Sequence, residues 1–229
     1  MRLKILSWNI WISGHFDQIS DFLKKSNADI IGLQEVKDDD PKRDVIEFLS
    51  ELGYKHVFVS VKKTWKDKSF TDGPAVFSKY PILKTEAYML SKTDERAAIK
   101  AEIQIEDKKL LVFSTHLIHT HQKDMEVQNE QALNLLKLLP RENTVVMGDF
   151  NATPGSFVIK KMREEFTDSD PNSKPTWSVY PEGCLMCKPQ DISIRLDYIF
   201  TSPDVKIKSS EVEGSKGSDH LPITAEIEI

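Results

Sequence analysis

The chain has 229 residues, 39% of them hydrophobic, with a formal net charge of −5 and two cysteines. That length favours a single domain, 1–229, with a sizeable core. The charge argues against a domain that is basic throughout, as a dedicated non-specific DNA binder is, and two cysteines do not build a disulfide framework.

No apolar run approaches the roughly 20 residues of a spanning helix, so no membrane insertion is expected. Residues 3–9 read as a strand ending in Asn9. The apolar run stops at Ser7-Trp8-Asn9, which is unlike a signal peptide. The expected compartment is cytoplasmic, or nuclear in a cell with a nucleus. Phe16, Ile19, Phe22 and Leu23 recur at helical spacing. Residues 29–35 form a second strand, tipped by Gln34 and Glu35. Val45, Ile46, Phe48, Leu49 and Leu52 mark a second helix, with Gly53 at its C-cap. Residues 55–61 read as a strand, 62–70 as a lysine-dense loop, and 74–79 and 82–84 as strands broken by Tyr80-Pro81. Alternation over 97–105 marks a half-buried strand, and 110–116 is an apolar run ending in His116. The longest helix candidate is 122–139, closed by Pro140. Residues 144–147 form a buried strand that turns at Gly148 and presents Asp149 and Asn151, with Phe150 directed the other way. Ile159, Met162 and Phe166 mark a helix. Residues 168–188 are irregular and proline-rich, 192–200 returns to strand, and 221–229 is the last strand, after Gly217-Ser218-Asp219-His220. Both halves run strand, polar tip, helix, strand, which predicts an α/β sandwich of two packed sheets with helices outside.

Six strand ends carry polar tips: Asn9, Glu35, His116, Asp149 with Asn151, Asp197, and Asp219 with His220. Any one alone reads as a cap or a satisfied histidine. Six together point to one shared site. Glu35, Asp219 and Asn9 offer hard oxygens suited to Mg²⁺ or Mn²⁺. Asp197 and His220 suit a carboxylate–imidazole pair, in which the acid fixes the tautomer. A hard metal, an acid–base pair and further donors are what phosphoester hydrolysis needs, because charge builds on phosphate oxygens in the transition state.

Ser7-Trp8-Asn9, Leu33-Gln34-Glu35, Ser114-Thr115-His116-Leu117, Gly148-Asp149-Phe150-Asn151, Leu196-Asp197-Tyr198-Ile199-Phe200 and Ser218-Asp219-His220-Leu221-Pro222 stand in an order that resembles the endonuclease/exonuclease/phosphatase superfamily. The resemblance implies a deoxyribonuclease I-like fold: a four-layer α/β sandwich, two packed mixed β-sheets flanked by helices. It also implies roles. Glu35 binds the metal, with Asn9 and Asp219 close by. Asp149 takes or delivers a proton, and Asn151 orients the phosphate and the attacking water. His116 donates to a non-bridging oxygen. His220, held by Asp197, stabilises the same charge or acts as base. The division of proton work between Asp149 and His220, and the choice of one metal or two, stay open.

Gln34-Glu35-Val36-Lys37 resembles the apurinic endonucleases, but Ile10-Trp11-Ile12-Ser13-Gly14 departs from their pattern. Asn151-Ala152-Thr153-Pro154-Gly155-Ser156, with Thr176-Trp177 and Arg195-Leu196-Asp197, is most similar to the broad microbial group of metal-dependent hydrolases. Arg96 suits a phosphate clamp or a surface charge. Lys62 and Lys63, with Lys66 and Lys68, suit phosphates, and Trp65 suits a base; a solvated loop with Trp65 packed inward is the competing reading. Trp177 and Tyr180 are candidates for a substrate wall. The expected function is phosphodiester hydrolysis on DNA or RNA by a monomer. The alternatives are a phosphatase or phosphodiesterase of a small-molecule or lipid phosphate, and a non-catalytic binding module on the same fold. His119 and His121, just past His116, read as surface histidines, with a place lining the site as the second reading. Cys184 and Cys187 read as reduced loop cysteines, with a bond between them or a metal shared across a dimer as the second reading.

Overall fold

Alternation sorts strand side chains onto two faces, and in this chain both faces of the central strands are apolar. The computed structural model describes residues 1–229 except 66, 67, 93, 94, 124 and 185, with 64, 65, 68 and 183 described by backbone alone. In chain order the strands are β1 (Arg2–Asn9), β2 (Ile30–Val36), β3 (Lys55–Phe58), β4 (Val61–Trp65), β5 (Lys68–Ser78), β6 (Ile82–Met89), β7 (Ala97–Ile105), β8 (Lys108–His116), β9 (Thr144–Asp149), β10 (Thr167–Asp168), β11 (Asp197–Thr201), β12 (Lys206–Val212) and β13 (Ile223–Glu228). The helices are α1 (Phe16–Ser26), α2 (Val45–Glu51), α3 (Glu126–Leu138) and α4 (Phe157–Arg163). One sheet runs β12-β13-β1-β2-β5-β3, with β4 paired to β5; the other runs β10-β11-β9-β8-β7-β6. The pairs β1/β2 and β8/β9 are parallel, bridged by α1 and α3, and the other pairs are antiparallel. These two βαβ units are the repeated theme of the sequence.

Three cores follow from the alternation. Leu3, Ile5, Ile30, Val112, Val145 and Met147 fill the space between the sheets. Leu6, Trp8, Ile31 and Leu33 pack outward against Ile19 and Leu23 of α1 and Val45 and Leu49 of α2. Phe113, Val146, Phe150 and Phe200 pack outward against Ala132 and Leu135 of α3 and Ile159 and Met162 of α4. The result is the expected four-layer sandwich of two mixed sheets flanked by helices. Local signals set the helix ends. Asp44 caps α2 by accepting from the Glu47 amide, Gly53 follows that helix at φ +90°, and Ser156 caps α4. Among the described residues, no helix is long and apolar enough to cross a membrane.

Four local expectations need correction. Residues 62–65 and 68–70 are not loop but paired strand, in which Lys62 pairs with Thr71 and Lys63 with Phe70. Lysine density masked the strand, yet pairing satisfies the backbone groups and the Lys63 charge is taken up by Asp72. Strand β12 went unseen because it is an edge strand with a mostly exposed, polar sequence. Helix α3 starts at Glu126 rather than at Gln122, because His121 and Gln122 have positive φ and Met125 is extended. The irregular 168–188 stretch contains the end of β10 and a short 3-10 turn, and regular strand resumes only at Asp197.

Candidate active site

The alternation that fills the inter-sheet core also places the polar tips. On β9 the inward positions are Val145, Met147 and then Asp149; on β1 they are Leu3, Ile5, Ser7 and then Asn9. At this end of the sandwich carboxylates and amides replace aliphatics. Asp149 is in register with His116 on one side and with Asp197 on the other. Three functional side chains therefore stand abreast on adjacent strands, roughly 5 Å apart by strand spacing. Glu35 needs a further device. After Ile31 and Leu33 it would fall on the outer face, but the β2/β5 register shifts between Leu33 and Val36 and Glu35 has φ +59°. That bulge re-aims its carboxylate. Glu35 Oε1 accepts from Asn9 Nδ2 at 3.2 Å, and Oε2 accepts from the Ile12 amide at 2.6 Å. Arg43 braces the Trp11–Ile12 turn by donating to both carbonyls.

Asp149 Oδ2 is the hub. It accepts from Asn9 Nδ2 at 3.0 Å and from Asn151 Nδ2 at 3.2 Å, and it lies 3.4 Å from His116 Nε2 and 3.6 Å from His220 Nε2. Its other oxygen accepts from the Asn151 amide at 2.8 Å. His220 Nδ1 is 2.9 Å from Asp197 Oδ2, which also accepts from Thr176 Oγ1 at 2.6 Å. Trp8 Nε1 donates to the His220 carbonyl, and Ser218 Oγ donates to the Asn9 carbonyl, so the Ser218–His220 turn is tied to β1. Below the site, Gln34 Nε2 donates to Ser114 Oγ at 3.1 Å and joins the two sheets.

Burial and charge set the protonation pattern. Burial, with Asp197 adding to it against the opposing pull of His220, raises the Asp149 carboxyl to about 7. Burial alone would lower His220; Asp197, Asp149 and Asp219 outweigh it and raise the imidazole well above its ordinary value. Burial, then Arg96 and Lys63, push His116 well below its ordinary value, so its ring is neutral at pH 7. Burial also raises Asp219. One imidazolium thus sits among three carboxylates, and a neutral imidazole sits beside them. The His116 Nδ1 and Asp197 Oδ1 atoms are buried without a protein partner.

The structure brings together Asn9, Glu35, His116, Asp149, Asn151, Asp197 and His220. Asp219 stands next to them, adjacent to His220 in the chain and close enough to feel the charges of Asp197 and His220. Asp149, Asp197 and His220 have ligand atoms within 4.8 Å of one another, a grouping that could hold a metal ion. Trp177 is buried and bridges to His220, with ring centroids 6.3 Å apart. Arg96 is half-buried and near enough to act on the His116 charge. Lys63 acts on the same charge, but it is ion-paired with buried Asp72 rather than presented on a loop. Lys62 is exposed, and the Trp65 and Lys68 side chains and all of Lys66 lie outside the described residues. Tyr180 stacks on Trp11 at 5.8 Å. His119 and His121 are half-buried rather than surface histidines, and His119 Nδ1 lies 2.7 Å from Asn151 Oδ1. Sequence reasoning also missed Thr176 as the partner of Asp197. Its only signal was its place beside Trp177.

The Endonuclease/Exonuclease/phosphatase family model matches residues 6–220. An exodeoxyribonuclease of Bacillus subtilis (strain 168) is similar at 26% identity, covering 99% of this chain and 100% of that one. An endonuclease/exonuclease/phosphatase from Beutenbergia cavernae superposes with a TM-score of 0.82 at 19% identity, over 100% of this chain and 72% of that one. The 2′,3′-cyclic phosphatase ANGEL2 superposes with a TM-score of 0.74 at 18% identity, over 99% and 95% of the two chains. The chain therefore belongs to the endonuclease/exonuclease/phosphatase family, whose members are phosphoesterases and nucleases.

Proposed function

We propose that residues 1–229 act as one catalytic domain, a divalent-metal-dependent phosphodiesterase that cleaves DNA or RNA. The observation that carries this reading is the Asp149 hub: one buried carboxylate oxygen shared by Asn9, Asn151, His116 and His220.

The donor set fits a hard cation. Glu35, Asn9, Asp149 and Asp219 offer only oxygen, and burial leaves Asp149 and Asp219 with raised carboxyls. A cation beside them would favour their charged forms. Asp197 and His220 already occupy each other at 2.9 Å, so Glu35, with Asn9 and Asp219, is the proposed metal side of the site. A bound Mg²⁺ or Mn²⁺ would polarise the phosphate and acidify water.

The chain's own groups do the rest. Asp149, with its carboxyl near 7, takes a proton from the attacking water or returns one to the leaving oxygen. His220, held as imidazolium by Asp197, presents Nε2–H to a developing negative oxygen. His116 donates to the phosphate, Asn151 holds the Asp149 carboxylate that the phosphate and water meet, and Trp177 walls the site. Arg96 adds positive charge beside His116. Lys62 and Trp65 are proposed as outer contacts to the nucleic acid.

A panel of single-stranded, nicked and abasic DNA, RNA, a bis-nitrophenyl phosphate and a nitrophenyl monoester tests this reading. Each is run with Mg²⁺, Mn²⁺ or EDTA. Cleavage of one nucleic acid that EDTA abolishes is expected. Activity confined to the small esters would favour a phosphatase. The engagement of Lys63 with Asp72 supports that second reading, because it removes one cation from the nucleic-acid grip. No activity on any substrate would refute both.

A further inference from the structure

Two connections that are distant in sequence meet beside Asn151. His119 and His121 lie between β8 and α3; Cys184 and Cys187 lie between β10 and β11. His119 Nε2 is 2.9 Å from His121 Nδ1 and 3.6 Å from Cys187 Sγ. His121 Nδ1 is 3.1 Å from Cys187 Sγ and 3.7 Å from Cys184 Sγ. All four ligand atoms lie within 4.8 Å of one another, and all four residues are half-buried. Zinc bonds of about 2.3 Å to sulfur and about 2.0–2.1 Å to nitrogen set tetrahedral edges of roughly 3.3–3.8 Å.

We infer that His119, His121, Cys184 and Cys187 form a second metal centre, a closed tetrahedral Cys₂His₂ zinc site separate from the phosphoesterase site. The alternatives account for less. A Cys184–Cys187 bond would explain two of the four residues and leave two imidazoles crowded against the sulfurs. Hydrogen bonding alone would leave His121 Nδ1 as the shared partner of three groups. The backbone is also prepared for a thiolate: the Cys187 amide donates to Cys184 Sγ at 3.1 Å, and the Lys188 amide donates to the Cys184 carbonyl at 2.9 Å, closing the Cys-x-x-Cys turn. Soft sulfur with imidazole selects zinc, whereas the oxygen-only Glu35 side suits a harder ion.

Loading conserves charge and protons. Each thiol releases one proton to solvent, two thiolates neutralise Zn²⁺, and both imidazoles stay neutral. His119 ligates through Nε2 and keeps its hydrogen on Nδ1, which donates to Asn151 Oδ1 at 2.7 Å. The site then has two effects. It staples the proline-rich 169–196 connection to the end of β8, and it makes His119 a positioning residue for Asn151. The second effect rests on the role proposed for Asn151; the metal site does not.

Native mass spectrometry and elemental analysis of reduced protein, purified without chelator, test the proposal. One zinc per chain is expected in the wild type and in Glu35→Gln, and none in Cys184→Ser/Cys187→Ser. Exchange for Co²⁺ should give the intense visible bands of a tetrahedral ion and near-ultraviolet thiolate charge transfer, both lost in the double variant. Retained zinc with no phosphoesterase activity would refute the proposed function and leave this site standing. Zinc absent from the folded, reduced wild type would overturn the proposal, as would loss of zinc in Glu35→Gln. If the double variant does not fold, the wild-type zinc content and cobalt spectrum decide alone.

Discussion

Asp149→Asn separates what the hub does for chemistry from what it costs the fold. The substitution keeps the shape and removes the proton acceptor, so turnover should fall by roughly 10²–10⁴-fold, the usual worth of a positioned acid or base. Its effect on stability depends on pH. The native Asp149 carboxyl, raised from 3.8 to about 7, holds a proton that the unfolded chain has already released between those values. The native state therefore binds more protons, and stability falls as pH rises from about 4 through about 7. His220, also raised, adds a loss of the same sign above its unfolded value near 6.5. Between pH 5 and pH 7 the Asp149 contribution is two pH steps at about 1.4 kcal/mol each, or of the order of 2–3 kcal/mol. Asparagine abolishes that slope and weakens the one from His220. Against this gain, its amide must set an N–H toward a donor such as the Asn151 amide, at a cost of about 1–3 kcal/mol that does not vary with pH. Urea unfolding in EDTA at pH 5 and pH 8 measures both proteins. The variant should gain on the wild type by of the order of 2 kcal/mol from the lower to the higher pH. Parallel pH dependences would refute the account of the buried carboxylate, and wild-type turnover would refute its role.

Asp197→Asn removes the strongest influence raising His220. The alkaline limb of the pH–rate profile, and the His220 titration followed by NMR, should both move to lower pH; an unmoved limb would separate His220 from the chemistry. Gly148→Ala places a Cβ 2.0 Å from the Thr115 carbonyl oxygen, whereas Gly32→Ala meets the Met147 side chain at 2.8 Å. Backbone cannot yield and methionine can, so the first should cost about 4 kcal/mol or more and the second about 1–3 kcal/mol by denaturant unfolding. Lys63→Ala strands Asp72, whose side chain is 3% exposed, and should cost about 3–5 kcal/mol, while exposed Lys62→Ala stays within about 0.5 kcal/mol. Equal losses at the two lysines would contradict the burial of the pair.

Much of the site was legible because strand geometry is local. A run such as Thr144–Asp149 carries its own period, so the inward course of Val145 and Met147 already placed Asp149 between the sheets and Phe150 outside them. The same reasoning found Asn9 and His116, because each ends an apolar run, and Asp197, which opens one. The βαβ repeats, and with them the layered fold, were readable for the same reason. Tertiary structure decided what depends on residues far apart. Glu35 faces the site only because a bulge against β5 reverses its side, and the pairing partner that creates the bulge lies some forty residues on. The 62–70 stretch looked like a solvated loop until strand pairing gave residues 62–65 and 68–70 backbone partners and gave Lys63 a buried acid. Cys184-x-x-Cys187 read as two reduced loop cysteines, with only two of a metal's four ligands in the sequence around them. The imidazoles that complete the set come from a different connection, and only the packing of the 169–196 segment against the end of β8 brings them within bonding reach. Period and propensity are written in neighbouring residues, whereas coordination and charge pairing depend on distances that the chain sets only after it has folded.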